Sequence, residues 1–130
     1  MLCLTAWAQP PTPSTEREVK IPLVATDRAN RAQGLIHLQP RSLEVELRGL
    51  QPGGVYTVWV VHDRPREEKG LGPRPHSFTA DAQGNGRYRA AFSVDDRAKW
   101  QLVEIFFVPG GNPSEERDRK VILYGPIRGL

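Results

Sequence analysis

The stretch Ser42-Leu-Glu-Val-Glu-Leu-Arg-Gly49 decides the fold class, because apolar and charged residues alternate along it without a break. In an extended chain, successive side chains point to opposite faces. This period of two therefore predicts a β-strand with one face in a core and the other in water. The aliphatic residues that share the buried face are Leu43, Val45 and Leu47.

A turn and a more apolar strand follow this stretch. The sequence Gln51-Pro-Gly-Gly54 is typical of a turn, because proline presets φ and glycine adopts positive φ. Residues 55–62 (VYTVWVVH) are apolar on both faces, which predicts a central strand. Similar patterns predict further strands at 18–25, 32–39, 76–80, 87–93, 100–109 and 121–124.

The predicted fold class is all-β, an immunoglobulin-like antiparallel β-sandwich of about eight strands. Only 94–99 has the pattern of a helical turn. Pro22 cannot donate to a ladder, so the first strand is expected at an edge. The chain of 130 residues is long enough for one domain, which we place at 17–130.

The first eight residues (MLCLTAWA) resemble the end of an export signal, with a small-x-small cleavage pattern before Gln9. Cleavage there removes the single Cys and the single Met, which suits an oxidising exterior. No Lys or Arg precedes Arg17, so an apolar N-terminus without signal function is the alternative. Residues 9–16 (QPPTPSTE) predict a proline-rich tether. We therefore expect an exported protein, periplasmic, cell-surface or secreted.

Composition excludes two classes of function. The formal net charge is +3, and acidic and basic residues are mixed, as in 64–69 (RPREEK) and 115–120 (EERDRK). A nucleic-acid-binding protein would segregate its positive charge on one face, so no nucleic-acid partner is expected. No segment approaches the ~18 consecutive apolar residues of a transmembrane span.

Four motifs together resemble the extracytoplasmic C-terminal domain of anti-sigma-K-type factors. They are Leu47-Arg-Gly-Leu-Gln-Pro-Gly-Gly-Val-Tyr-Thr-Val-Trp59, Phe78-Thr-Ala-Asp-Ala-Gln-Gly-Asn-Gly86, Val103-Glu-Ile-Phe-Phe-Val-Pro-Gly-Gly-Asn-Pro113 and Val121-Ile-Leu-Tyr-Gly125. The resemblance covers 34–125 and implies a stand-alone, exported, sensor-like sandwich. It includes neither the zinc-binding and sigma-binding parts of such factors nor their transmembrane helix, so it does not imply inhibition of a sigma factor.

A fainter resemblance is to copper/zinc superoxide dismutase and related secreted sandwiches. It is carried by Gly34-Leu-Ile-His-Leu38, Arg48-Gly-Leu-Gln-Pro-Gly53 and Phe78-Thr-Ala-Asp-Ala-Gln-Gly84. That family places a His-x-His pair on the strand that here reads Trp59-Val-Val-His62. With one histidine there, the resemblance implies the sandwich without the metal ligands.

Histidines are the main candidates for a metal site, because Asp81 and Asn85 in the Gly-rich hairpin offer one carboxylate, too few for calcium. His37, His62 and His76 lie on different predicted strands, and imidazole suits copper or zinc. No pair has i, i+2 spacing, so no metal and no cofactor is predicted. Catalytic motifs are equally lacking, since no serine lies in a Gly-x-Ser-x-Gly elbow. We therefore do not expect an enzyme.

Aromatic residues and one long loop are the candidates for partner binding. Phe106 and Phe107 must point to opposite faces, so some aromatic side chains lie outside the central core. Residues 63–75 (DRPREEKGLGPRP) predict a long charged loop, and such loops are often functional. The predicted partner-binding residues are Tyr56, Trp59, Arg64, Arg66 and Phe106.

These observations predict an exported non-enzymatic binding, sensor-like or structural envelope module. Its partner would be another envelope or extracellular protein, or a second copy added through edge strands. The alternative is a copper- or zinc-binding redox domain that uses the strand-end histidines.

Overall fold

A computed structural model describes residues 18–27 and 30–127. The predicted signal at 1–8 and the predicted tether at 9–16 lie outside these residues. In chain order the elements are β1 (Val19–Pro22), β2 (Val24–Ala25), β3 (Gln33–Leu38), β4 (Ser42–Arg48), β5 (Val55–Asp63), β6 (Arg66–Gly70), β7 (Ser77–Thr79), β8 (Gly86–Ala91), α1 (Val94–Lys99), β9 (Leu102–Val108) and β10 (Lys120–Pro126).

Two antiparallel sheets pack face to face, which confirms the predicted all-β sandwich. One sheet has four strands in the order β1-β3-β4-β8. The other has the order β2-β10-β9-β5-β6, and β7 also pairs with β5. The immunoglobulin-like strand order stays a prediction.

The core lies between the inner faces of the two sheets. Inward-facing side chains of β4 are fully buried, as the alternation in that strand predicts. On the opposite sheet β5 and β9 supply the facing layer, and the register aligns Val58 with Ile105. Among the largest fully buried side chains are Ile36, Leu38, Leu43, Leu47, Phe92, Ile105, Leu123 and Ile127.

The first predicted strand, 18–25, is two strands at the edges of different sheets. Residue Ile21 in β1 pairs with Ile36 in the four-stranded sheet, whereas Val24 in β2 pairs with Tyr124 in the six-stranded sheet. Between them Leu23 turns into the core, and its N–H donates to the carbonyl of Gly34 at 2.9 Å. The expected edge position is confirmed for both parts.

The expectation of an unstructured loop at 63–75 was wrong, because β6 forms within it. Residues 66–70 (REEKG) carry no apolar alternation, so the sequence pattern did not indicate a strand. The strand forms because its backbone pairs with β5, with Trp59 opposite Gly70 and Val61 opposite Glu68. Cross-strand hydrogen bonds thus override local propensity here.

The short helix at 94–99 is confirmed, and a capping box fixes its start. Ser93 is the N-cap, and its hydroxyl accepts a hydrogen bond from the Asp96 N–H. The Asp96 carboxylate in turn accepts from the Ser93 N–H at 2.8 Å. Within the described residues, no helix has the length and apolar character needed to cross a membrane.

Candidate binding face on the six-stranded sheet

The outer side of the six-stranded sheet carries side chains that are buried although they face away from the central core. Register places Trp59 opposite Glu104 and Thr57 opposite Phe106, while Val61 lies one step further along β5. Thr57, Val61 and Phe106 are 2%, 0% and 5% exposed, although they point away from the central core. We call this surface, formed by these five residues, the aromatic face.

Arg119 covers the centre of the aromatic face. Its guanidinium carbon lies 4.6 Å from the ring centroid of Trp59 and 4.1 Å from that of Phe106. The same group forms an ion pair with Glu68 of β6. A planar guanidinium can stack on aromatic rings and bind a carboxylate at once, which explains an arginine at this position. Within the described residues its Nη1 is buried and has no hydrogen-bond partner.

A chain of alternating charges extends from Arg119 across the aromatic face. Glu68 binds Arg119 and Arg66, and the Arg66 Nη2 lies 3.2 Å from both Glu68 Oε2 and Glu104 Oε1. Glu104 is only 8% exposed, so its charge depends on Arg66 for compensation. The network therefore joins β6, β9 and the segment before β10 over the rings.

A cleft of about 520 Å³ opens beside Trp59. One wall is β6 with the turn that follows it, and the other is part of the segment between β9 and β10. Its volume lies within the roughly 300–1,000 Å³ typical of ligand sites. Aromatic and charged residues line the cleft, among them Trp59, Lys69, Gly70, Arg74, His76 and Glu116.

His76 is held in an unusual conformation within this cleft. Its φ is +63°, which is uncommon for a residue with a side chain. The ring lies against Gly70, where any side chain would overlap it, and meets the Trp59 ring edge-on at 5.5 Å between centroids. Its Nδ1 donates to the carbonyl of Gly72 at 2.7 Å, so the neutral ring presents Nε2 as an acceptor. Unusual backbone of this kind often occurs at functional sites.

Three predicted partner-binding residues come together on this surface. Trp59, Arg66 and Phe106 belong to the aromatic face or its charge network. Arg64 is exposed in the tight turn between β5 and β6. Sequence reasoning missed Arg119, because a mixed charge run such as 115–120 has the pattern of a solvated surface.

Tyr56 is removed from the partner-binding set, because its side chain lies in the core. It is 3% exposed, and its ring stacks on Phe78 with centroids 5.5 Å apart. The hydroxyl accepts a hydrogen bond from the Gln51 N–H at 2.9 Å, which anchors the turn before β5. Burial raises the pKa of Tyr56.

The three histidines occupy separate surroundings rather than one site. His62 donates from Nδ1 to the carbonyl of Pro65 at 3.0 Å, within the β5–β6 turn. His76 lies in the cleft, and His37 lies on the outer side of the other sheet. Among the residues that the structure describes, no group of three or more His, Cys, Asp and Glu side chains is placed to hold a metal ion.

His37 lies on the outer side of the four-stranded sheet, a surface that we call the polar face, and belongs to a network of charged side chains there. Nδ1 lies 3.0 Å from Glu18 Oε2, and Nε2 lies 3.0 Å from Glu46 Oε1. Burial lowers the pKa of His37, but hydrogen bonds to Glu46 and Glu18 outweigh it and raise that pKa overall. Arg87 of β8 pairs with Glu44 and Glu46, at 3.2 and 3.1 Å.

Edge strands of both sheets carry features that oppose addition of another strand. Pro22 in β1 lacks an N–H, and β2 is only two residues long. Beyond β2, Thr26 and Asn30 side chains donate to carbonyls of β10, at 2.9 and 2.6 Å. Of the other edges, β6 carries Arg66, Glu67 and Lys69, β8 carries Arg87 and Arg89, and β7 is only three residues long.

Comparison with known proteins places no relative beside this chain: no family model, no curated protein and no solved structure matches it.

Proposed function

We propose that this protein is a non-enzymatic binding module that acts outside the cytoplasm and holds its partner at the aromatic face and the adjoining cleft. The observation that carries the proposal is the preorganised wall of the cleft. There His76 is fixed between Trp59, Gly70 and the Gly72 carbonyl. A site fixed before binding loses less entropy when a partner binds.

The distribution of charge favours the face over the edges as the site of contact. Edge strands carry proline, short length or charged side chains, all of which discourage strand addition. The aromatic face instead combines tryptophan, phenylalanine and arginine, the residue types enriched at the centres of protein interfaces. Self-association through strand edges is therefore the less favoured route.

Export and a sensor-like role enter the proposal from the sequence. The apolar N-terminal residues with a small-x-small pattern support export. The resemblance to extracytoplasmic domains of anti-sigma-K-type factors supports a domain that responds to a partner rather than one that transforms a substrate. Mass spectrometry of the protein from the extracytoplasmic fraction tests export, and a mature chain that starts at Gln9 is the expected result.

Site-specific crosslinking in the native host tests the binding site. A photo-crosslinking amino acid at Ser114, on the cleft wall, should yield one discrete adduct that mass spectrometry can identify. The same amino acid at Arg89, on β8 of the other sheet, is the matched control and should yield none. Equal adducts from both positions, or none from Ser114, would contradict the proposal.

A further inference from the structure

Two rings of the aromatic face meet at nearly a right angle. The ring planes of Trp59 and Phe106 cross at 80°, and their centroids are 6.4 Å apart. The guanidinium of Arg119 lies in the corner between them, with its carbon 4.6 Å from the Trp59 centroid and 4.1 Å from the Phe106 centroid. Both distances are within the roughly 6 Å range of a cation–π contact. The corner therefore holds a cation, and that cation belongs to the protein itself.

Carboxylates complete the corner as a site for positive charge. Glu68 forms an ion pair with Arg119, and the Arg66 Nη2 lies 3.2 Å from oxygens of both Glu68 and Glu104. If Arg119 moved away, Arg66 would be the one ion-pair partner left to both carboxylates among the described residues. One negative charge would then remain beside two aromatic rings, so the complementary ligand is a cation. We call Trp59, Phe106 and Glu68 together the cation cage.

Arg119 is an imperfect occupant of the cation cage. Its Nη1 is buried and has no hydrogen-bond partner within the described residues. A buried donor that stays unpaired is costly. Arg119 immediately precedes β10, so the backbone there limits how its side chain can turn to satisfy this group. A guanidinium supplied by another chain is free of that restriction, which favours exchange of one cation for the other.

The cation cage is accessible from solvent. Trp59 and Glu68 both line the cleft of about 520 Å³, so an incoming side chain can approach them from there. Residues 109–118, which lead to Arg119, are exposed except for the partly buried Pro113. A segment with so little burial moves at a low free-energy cost. Arg119 can therefore leave the rings without unfolding of either sheet.

From these features we propose that the cation cage binds an arginine side chain of the partner protein, and that Arg119 occupies the cage in the free protein. The incoming guanidinium stacks on Trp59 and Phe106 and pairs with Glu68, while Arg119 turns into solvent. A planar guanidinium can stack on rings and bind a carboxylate at once, as Arg119 does, whereas an ammonium cannot stack. This inference rests on the proposed binding function and adds the partner's anchoring residue and an autoinhibitory contact.

Competition between Arg119 and a free arginine derivative tests this assignment. The probe is N-acetylarginine methylamide, added to the full-length protein while NMR follows the Trp59 indole, with the core indole of Trp100 as reference. Arg119→Ala vacates the cage, so it should bind the probe at least about tenfold more tightly than wild type, the equivalent of about 1.4 kcal/mol. Equal dissociation constants would show that Arg119 does not compete for the site and would overturn the assignment.

Thermal unfolding with the same probe covers the case in which Arg119→Ala is too unstable for NMR. A ligand that binds the native state raises the unfolding midpoint, so the probe should stabilise Arg119→Ala. Arg119→Met fills the cage with an apolar side chain and should gain little. Arg87→Ala removes an exposed arginine of the polar face and is the matched control. An equal gain in Arg87→Ala would show a nonspecific effect of the probe and overturn the assignment.

The remaining outcomes separate the two proposals. Tighter binding of tetramethylammonium than of the arginine derivative would overturn the guanidinium class. A discrete adduct from Ser114 without binding of either cation to Arg119→Ala would preserve the binding function and overturn the cation cage. Binding of the probe without an adduct from Ser114 would overturn the role of the cage in holding a partner. Absence of both would overturn both proposals.

Discussion

The outer faces of the two sheets differ in their side chains: one carries exposed charged groups, and the other carries apolar groups covered by an arginine. Each is the side of a sheet that faces away from the other sheet in the described part of the chain. On the polar face, charged side chains remain in water, and the side chains of Arg87 and Glu46 are 67% and 44% exposed. On the aromatic face, Phe106 is 5% exposed beneath the guanidinium of Arg119. An outward sheet face can therefore carry apolar side chains when one long side chain covers them.

The difference originates in the strand sequences. The strand β4 alternates strictly, so its outward positions are Glu44, Glu46 and Arg48. The central strands β5 and β9 are apolar on both faces, so their outward positions need cover. The contrast therefore predicts that matched substitutions cost more stability on the aromatic face than on the polar face.

Truncation of Phe106 should have the largest effect. Phe106→Ala removes a buried ring and leaves a cavity between Trp59 and Arg119, so we expect a loss of about 3–5 kcal/mol. Leu35→Ala, on the polar face at 36% exposure, should cost only about 0.5 kcal/mol. Urea unfolding of both variants measures the difference, and equal losses would show that the two faces are not distinct.

Removal of Arg119 should have an intermediate effect. Arg119→Ala loses two cation–π contacts and the ion pair with Glu68, for an expected cost of about 2 kcal/mol. Arg119→Met keeps apolar contact with the rings and removes the unpaired buried Nη1, so its cost should be smaller. The exposed counterpart Arg87→Ala should change stability by about 0.5 kcal/mol or less.

Thermal unfolding of these three variants separates packing from charge. If Met is as harmful as Ala at Arg119, the ion pair with Glu68 dominates and the cover over the rings contributes little. If Arg87→Ala costs as much as Arg119→Ala, the distinction between exposed and covered arginines fails.

Fold class could be predicted from the sequence because each sheet contains strands that either alternate apolar and polar residues or are apolar on both faces. Residues 42–49 and 55–62 are the clearest examples, and both strands lie where they were expected. The strand β6 could not be predicted, since its residues REEKG are held by backbone pairing with β5 rather than by an apolar face. Hydrophobic periodicity indicates which side chains are buried, so an edge strand with few buried side chains does not show it.

The candidate site was only partly predictable for the same reason. Trp59 and Phe106 are conspicuous as aromatic residues in apolar strands, and the structure places them on one surface. Tyr56 has an equally conspicuous sequence context but faces inward. In a strand that is apolar on both faces, the sequence does not show which alternate residues point to the core. The contribution of Arg119 depends on the path of a loop, which local sequence does not determine.

Gly70 offers a smaller and more local test of the cleft. A Cβ at Gly70 would overlap the His76 ring, so Gly70→Ala should displace that ring from Trp59 and from the Gly72 carbonyl. Loss of about one hydrogen bond predicts a cost of about 1 kcal/mol. Gly110→Ala is the matched control, because no atom lies within 4 Å of its Cβ position. NMR shifts of the His76 ring that are unchanged in Gly70→Ala would contradict this packing.

The smallest expected effect is a pH dependence on the polar face. A carboxylate only accepts hydrogen bonds, so His37 can donate to Glu18 and Glu46 together only when both ring nitrogens carry hydrogen. Lys20 on β1 and Glu44 on β4 lie opposite His37 in register. Two further cations, Arg87 and Arg89, face this network from β8. These neighbours screen the His37 pairs, so the effect should be modest.

The raised pKa of His37 fixes the sign of this effect. Its stabilising contribution is complete below its ordinary pKa of 6.5 and is lost as pH rises through the higher pKa of the folded state. Hydrogen bonds from His37 and Arg87 lower the pKa of Glu46, so its contribution is present above 4.5 and is lost as pH falls further. The stability difference between wild type and His37→Gln should therefore be greatest between these two values and should shrink toward pH 9. Parallel urea-unfolding midpoints across that range would show that the doubly bonded imidazolium does not contribute, and the polar face would then be held by its arginine pairs alone.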